Sequence, residues 1–226
     1  MLVGMEMLLA SPITVIKRLF TLIFENDFLT ATFYSLIRIL VGFLSSFLLG
    51  NLLAFISYKC KIVERLLKPY IITIKSVPVA SFIILFLIWF SYNQLTVLIS
   101  FLIAFPVIYQ NTLQGLKSTD KKMLEVAKIY NIPFNRKLIY IYLPGIKSYM
   151  LSACTISIGM AWKAGVAAEV IGVVANSIGE KLYNSKIYFQ NADLLAWTIV
   201  IVVLSIIMEK IVCLFLKIAY RRLEKL

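Results

Sequence analysis

LQGLKSTDKKMLEVAKIYNIPFNRKLIYIYLPGIK, residues 113–147, is the stretch on which the fold turns. It is a long basic interruption between apolar runs. Ser118 or Thr119 is placed to cap a helix whose first turn holds Asp120. Met123, Ala127 and Tyr130 recur at four and three residues, with Leu124 beside them, which predicts one apolar stripe on a short helix. Asn131 stands where that helix should stop, and asparagine tolerates the left-handed backbone that such a stop often needs. Pro133 bars simple continuation. A second short helix is expected from there to about Tyr142, with Phe134, Leu138 and Ile141 on one side, and Pro144-Gly145 should end it. The stretch therefore reads as a short, basic, amphipathic helix–turn–helix. Either it connects two apolar elements and rests on lipid headgroups, or it docks a partner.

The flanking chain decides where this element sits. Of 226 residues, 61% are hydrophobic and 15% charged, the formal charge is +12 and histidine is absent. Soluble domains are roughly 45–50% apolar and about 25% charged. A chain of this composition has too few polar residues to cover a water-facing surface, and disorder is excluded on the same ground. A basic excess can mark nucleic-acid binding, but a mean hydropathy of +0.91 fits a membrane, where the excess should be sided. Without histidine there is no Ser–His or Cys–His dyad and no histidine metal site. Cys60, Cys154 and Cys213 are odd in number and widely spaced, so they predict buried free thiols. Residues 1–11 superficially resemble a signal peptide, yet they lack a basic start and Glu6 breaks the run. Residues 12–24 carry Lys17 and Arg18 among apolar residues and suit an interfacial amphipathic helix.

A helix crosses a hydrocarbon core of roughly 30 Å with about 20 apolar residues. Five runs qualify: Leu29–Tyr58, Tyr70–Tyr92, Gln94–Thr112, Ser148–Val173 and Leu194–Ile218. They are continuous, not alternating, which indicates helices and not a barrel. Lys59, Lys61, Arg65 and Lys68 lie between the first two. Lys117, Lys121, Lys122, Lys128, Arg136, Lys137 and Lys147 lie between the third and fourth, and Lys217, Arg221, Arg222 and Lys225 end the chain. Five spans put all three groups on one side, which is then the cytoplasm. The 174–193 loop on the other side has only Lys181 and Lys186. The N-terminus, with Lys17 and Arg18 against Glu6, Glu25 and Asp27, is expected outside and the C-terminus inside. The cysteines then fall on or near the reducing side.

Charges within spans are costly and usually face protein or water. Glu209 and Lys210 sit near the cytoplasmic end of the last span, where they can pair or snorkel. Arg38, Lys75, Lys163 and Glu169 are the candidates for a translocation path. Arg38 is a third of the way along its span and either pairs with an acid or plays a structural role. Lys163 and Glu169 are six residues apart and lie on opposite helix faces. Ala153, Ser157, Ala161 and Gly165 form a small-residue row leading to Glu169, with Ala164, Ala168 and Gly172 in a second row. Such rows let helices approach closely, either within one subunit or at a pairing axis.

Glu125-Val126-Ala127, three residues, Asn131, nine residues, Ile141, one residue and Leu143-Pro144 resemble the EAA motif of membrane subunits of ATP-binding-cassette importers. The spacing matches throughout; Val126 replaces an alanine and Asn131 a glycine. Ser35-Leu36-x-Arg38-x-Leu40-x-Gly42-Phe43, Val77-Pro78-Val79-Ala80, Trp89-Phe90 and Ala161-Trp162…Ala167-Ala168-Glu169 resemble the permeases for nitrate, sulfonate and taurine, relatives of which carry thiamine-precursor pyrimidines. Those permeases usually begin with one more span, so this chain either keeps a five-span core or has a shortened start. Ser177-Ile178-Gly179 stands where the family tends to show Gly-Leu-Gly.

The resemblance implies an all-α polytopic bundle of about five transmembrane helices with the type I importer (MetI-like) fold. It implies a segment 1–28 at the outer face or interface and a permease domain 29–226 whose coupling loop is 113–147. It further implies a permease homodimer in a prokaryotic plasma or inner membrane, a pair of cytoplasmic ATPase subunits holding the coupling loops, and an external solute-binding protein. ATP and magnesium would be bound by the ATPase, and no cofactor or nucleic acid by this chain. Consistently, Gly115-Leu116-Lys117-Ser118 lacks the adjacent Gly-Lys of a P-loop. An intramembrane enzyme is disfavoured: histidine is absent, and Asp27, Asp120 and Asp193 fall outside the spans. A channel needs no ATPase socket.

Overall fold

The computed structural model describes residues 10–223. Glu6 and the rest of the 1–9 stretch, and Lys225, lie outside the described residues. The described chain is helical without strands: α1 (Pro12–Ile23), α2 (Asn26–Lys59), α3 (Lys61–Ser76), α4 (Val79–Trp89), α5 (Tyr92–Lys117), α6 (Lys121–Ile129), α7 (Phe134–Lys137), a π-helical turn at Leu138–Tyr142, α8 (Leu143–Gly172), α9 (Ile178–Ile187) and α10 (Asn191–Leu223). Four helices are long and apolar enough to cross a membrane unbroken: α2, α5, α8 with the π turn before it, and α10.

The expected span Tyr70–Tyr92 is not one straight helix: it is divided between α3 and α4, which meet at 104° and together are apolar enough to count as a fifth, bent span. Val77 precedes a proline and so leaves the helical region, with ψ 132°, and Pro78 has no N–H to continue the ladder. The hydropathy of the run hides this break.

α5 is the centre of the bundle, packed along α2 on one side and α8 on the other. Small and hydroxyl residues make this possible. The buried face of α2 runs through Ser35, Ile39, Gly42, Ser46, Gly50 and Ala54, a closely spaced row of the kind that brings backbones together in lipid. A Cβ on Gly42 would collide with the Val97 carbonyl and sit 2.8 Å from Ser100 Cβ. From α8, a Cβ on Gly165 would fall 2.6 Å from both Ile39 Cγ1 and Ser100 Oγ. Ser100 Oγ donates to the Ala161 carbonyl at 3.2 Å. The main core, with Ile39, Phe43, Ala104, Ile108, Ile158 and Trp162, lies where the three helices meet.

α10 packs on α8, α1 and α9 and keeps most of its apolar face open. Trp162 Nε1 donates to the Ile201 carbonyl at 3.0 Å and fixes α10 against α8. α1 is amphipathic as expected: Val15 and Leu22, two turns apart, are buried, and Ile13, Ile16 and Phe20 are exposed.

Gly42→Ala overpacks the α2–α5 contact and should destabilise the protein by about 1–3 kcal/mol. Gly159→Ala, where a Cβ meets nothing within 4 Å, should leave thermal unfolding in detergent unchanged. Equal melting of the two variants would refute the close-approach account.

Candidate functional site

The 113–147 stretch folds as a turn at one end of the bundle. α5 runs to Lys117, so Ser118 and Thr119 close that helix and do not cap the next one, as the sequence had suggested. Ser118 Oγ donates to the Gly115 carbonyl at 2.9 Å. The cap of α6 is Asp120, whose carboxylate accepts the Lys122 N–H at 2.9 Å. At the other end, Asn131 has φ 49°. The Ile132 N–H reaches the Ala127 carbonyl at 3.0 Å and the Asn131 N–H the Lys128 carbonyl at 3.1 Å. These two bonds form a complete Schellman stop with asparagine at its left-handed position.

The apolar stripe of α6 divides differently from the expectation. Ala127 is buried and Leu124 half-buried, whereas Met123, Val126, Ile129 and Tyr130 stay exposed. A nine-residue helix has room for two apolar faces, and only the narrower one packs inward. Glu125 is exposed beside the open face.

Pro144-Gly145 does not break the returning helix. α7 passes through the π-helical turn into α8, and the Leu143 N–H bonds to the Leu138 carbonyl five residues back. The widened turn absorbs the N–H that Pro144 lacks. Ile141 and Leu143 are half-buried and Pro144 is exposed. Tyr130, Asn131, Ile132, Arg136 and Tyr140 border an open hollow of about 410 Å³ under the turn. The Lys59 ammonium lies 3.9 Å from the Phe134 ring centre, and Tyr58 meets Tyr142 edge-on at 5.8 Å, so the loop is tied to the end of α2. Lys117 pairs with Glu64 across α5 and α3 at 2.5 Å.

At the far end, two of the candidate path residues are occupied with holding the backbone. Glu169 is fully buried. Its carboxylate accepts from Ser35 Oγ at 2.6 Å, from the Gly179 N–H at 3.4 Å and from Thr96 Oγ1 at 3.5 Å. Ser35 Oγ in turn accepts the Ile178 N–H at 2.9 Å. Ser177 Oγ accepts the Glu180 N–H at 3.0 Å, and Glu180 Oε2 accepts the Asn176 N–H at 2.7 Å. The first three N–H groups of α9, which have no partner inside the helix, are thus all met. Gly179 is required here, because a Cβ would overlap Glu169 itself. α9 lies within the stretch read as a 174–193 loop. Its signal was present: Ser177-Ile178-Gly179-Glu180 is a capping-box pattern.

Arg38 forms no ion pair among the described residues. It donates to Asn93 Oδ1 at 3.1 Å and to the Ala175 carbonyl at 3.4 Å, and its guanidinium lies 5.6 Å from the Tyr34 ring centre. It therefore grips the same turn from the α2 side. Lys75 donates to Gln110 Oε1 at 3.0 Å. Lys163 is exposed and has no hydrogen-bond or ion-pair partner among the described residues. Ala153, Ser157, Ala161 and Gly165 are all buried within this one chain, Ala161 and Gly165 directly against α5 and α2.

Arg18 of α1 binds both carboxylate oxygens of Asp193 on α10 and also pairs with Glu25 at 2.6 Å. The Asp193 contact raises the guanidinium further above its ordinary value, so the clamp stays charged. Lys181 on α9 pairs with Asp27 on α2 at 2.8 Å. No group of three or more His, Cys, Asp or Glu that could hold a metal occurs among the described residues.

Residues 46–225, which include the whole 113–147 turn, match the family of binding-protein-dependent transport system inner membrane components. The chain belongs to that family. Its relatives include SsuC of Bacillus subtilis, a permease protein named for aliphatic sulfonates transport, 26% identical over 96% of this chain and 77% of that one. The taurine transport system permease protein TauC of Escherichia coli is 25% identical over 89% of this chain and 75% of that one. The formylaminopyrimidine transport permease protein ThiX of Halalkalibacterium halodurans is 29% identical over 76% and 68%. A crystal structure of an amino acid ABC transporter with histidines superposes with a TM-score of 0.67 at 15% identity, covering 95% of this chain and 99% of that one. The permease is thus an all-α member of the MetI-like fold, and its membrane bundle is that of an ABC importer.

Glu169→Ala orphans the Gly179 N–H and removes the acceptor of Ser35 and Thr96, at a cost of about 1–3 kcal/mol. Amide exchange across 177–187 should accelerate while α5 and α8 stay protected, and Ser35→Ala should reproduce part of the effect. Unchanged exchange in both variants would show that the carboxylate does not hold α9.

Proposed function

We propose that this permease forms a homodimer in a prokaryotic plasma membrane, with the 113–147 turn and the C-terminus cytoplasmic and the N-terminus outside. In this reading a pair of ATPase subunits holds the two turns, and an extracytoplasmic solute-binding protein delivers the cargo. ATP and magnesium belong to the ATPase, and this chain supplies no catalysis.

The observation that carries the reading is the form of α6. A capped helix ending in a Schellman stop presents apolar Ile129 and Tyr130, 74% and 76% exposed, on a strongly basic loop. An apolar face outside the spans calls for a protein partner. The EAA residues Glu125, Val126, Ala127, Asn131, Ile141, Leu143 and Pro144 all lie within the 113–147 turn, in α6 and in the helix that returns from it. Lys and Arg concentrate at the same end of the bundle, which supports its cytoplasmic placement.

For the solute, the likeness to SsuC and TauC supports a small sulfonate-type anion such as taurine or an aliphatic sulfonate. The identity to ThiX supports formylaminopyrimidine as the second candidate. Melting shifts of the cognate binding protein with each compound discriminate the two.

Glu125→Lys should leave the amount of inserted protein unchanged but abolish solute uptake and loosen co-purification with a P-loop ATPase. Normal uptake would sink the coupling role. For orientation, a cysteine at Tyr188 should react with an impermeant thiol reagent in whole cells, and one at Met123 only in inverted vesicles. The opposite pattern would reverse the topology.

A further inference from the structure

α8 has one face that the chain leaves open, and its chemistry differs from that of the open face of α10. Ser148, Ser152, Ile156, Gly159 and Lys163 follow one another at three or four residues along it. All are exposed or half-buried, whereas Ala153, Ser157, Ala161 and Gly165 on the opposite side are fully inside. The open face of α10 is made instead of Val202, Ile206, Ile207, Leu214 and Phe215. That face suits lipid tails. The α8 face does not, because Lys163 is charged, exposed and without a partner among the described residues. Lys163 lies nine residues inside the end of α8 at Gly172, about 14 Å along the axis, more than twice the length of a lysine stem. Its near neighbour Gly165 packs against Ser100 of α5, so Lys163 sits along the body of the bundle and not at its end. An unpaired ammonium on that part of a helix is best met by water or an anion.

We propose that this α8 face walls the aqueous path and that Lys163 is the point in it where the negative charge of a passing solute is met. The proposal rests on the permease reading above. It separates the four candidate charges: Arg38 and Glu169 hold the far-end turn, Lys75 is bonded to Gln110, and Lys163 alone is left for cargo. In a homodimer with the two α8 faces opposed, the paired ammonium groups repel each other, which keeps the gap wet and biased towards anions.

The test needs no knowledge of the solute. Cys60, Cys154 and Cys213 are replaced by alanine, and a single cysteine is placed at Gly159, where a new side chain meets nothing within 4 Å. A control cysteine is placed at Val203 on α10. Whole transporter in membrane vesicles is exposed from both sides, under ATP turnover, to a sulfonate-bearing and to a quaternary-ammonium methanethiosulfonate. Gly159→Cys should react and Val203→Cys should not. The anionic reagent should lead the cationic one by about tenfold, the size of a unit-charge effect one helix turn away with two copies acting. Adding Lys163→Met should bring the two rates together. If Gly159→Cys is as inert as Val203→Cys, α8 does not wall the path. If it reacts but the ratio ignores Lys163→Met, Lys163 does not set the charge preference. Both outcomes leave the permease reading standing, since that reading fails separately, on ATPase co-purification and on Glu125→Lys.

Discussion

A backbone in hydrocarbon has no water to bond, so every N–H and C=O must find its partner in protein. Four long helices meet that demand by themselves. The informative places are those where the chain stops being an α-helix, because there other groups have to step in. At Val77-Pro78 the cost is low: the Val77 N–H still reaches the Thr73 carbonyl, proline has no N–H to lose, and the Ser81 N–H turns back to the Pro78 carbonyl. At the start of α8 a π turn shifts the ladder by one residue ahead of Pro144. After Gly172, the Val174 N–H bonds to the Glu169 carbonyl with Val173 at φ 46°. A β-branched residue strongly disfavours that conformation. The bonds of Ser35, Glu169, Arg38 and Ser177 around the turn are what over-determine it.

Both ends of α8 are therefore special and its middle is not. Between the π turn and Val173 lie 30 residues of uninterrupted helix, about 45 Å long. The loop with its exposed apolar face is at one end and the Glu169 cluster at the other. With no hinge between them, a displacement of the loop is carried along the helix as a unit. α5 is engaged closely enough to follow, since Ser100 touches both Gly165 and the Ala161 carbonyl. Lipid tails do not reward burial of apolar groups between helices, so this contact rests on small residues at close range and on a few hydroxyls.

Much of this was legible in the sequence, and the failures have distinct causes. Unbroken apolar runs located α2, α5, α8 and α10, and the spacing Glu125…Asn131…Pro144 located the turn with its left-handed asparagine. The Tyr70–Tyr92 run is apolar enough but hid a bend, because mean hydropathy does not register a proline's missing donor, although Val77-Pro78 was in plain view. α9 was missed because its polar composition averages to a loop, while its start signal is confined to four residues. The inward face of α6 was misassigned because Met123 and Ala127 satisfy a helical period equally well, and which of them packs is settled by neighbours outside that segment. Glu169 was flagged as a charge, but its partner Ser35 is 134 positions away and nothing local announces the pairing. Arg38 is the same case with Asn93 and Ala175.

The basic excess also acquires a physical division. Arg18 is bound by Asp193 and Glu25, Lys181 by Asp27 and Lys117 by Glu64, while Arg38 and Lys75 are held by neutral oxygens. Pairs between exposed charges are screened by water, so they register helices against one another more than they hold the bundle together. The unneutralised remainder on α3, α6 and the end of α10 gathers at one end of the bundle, and the proposed cytoplasmic placement of that end rests on it. Lys163 belongs to neither group. It has no acid to register against among the described residues and lies well inside the end of its own helix. A fixed charge in that position is tolerable only if the face that carries it is not a lipid face, and the serines and glycine in line with it are what such a face would be made of.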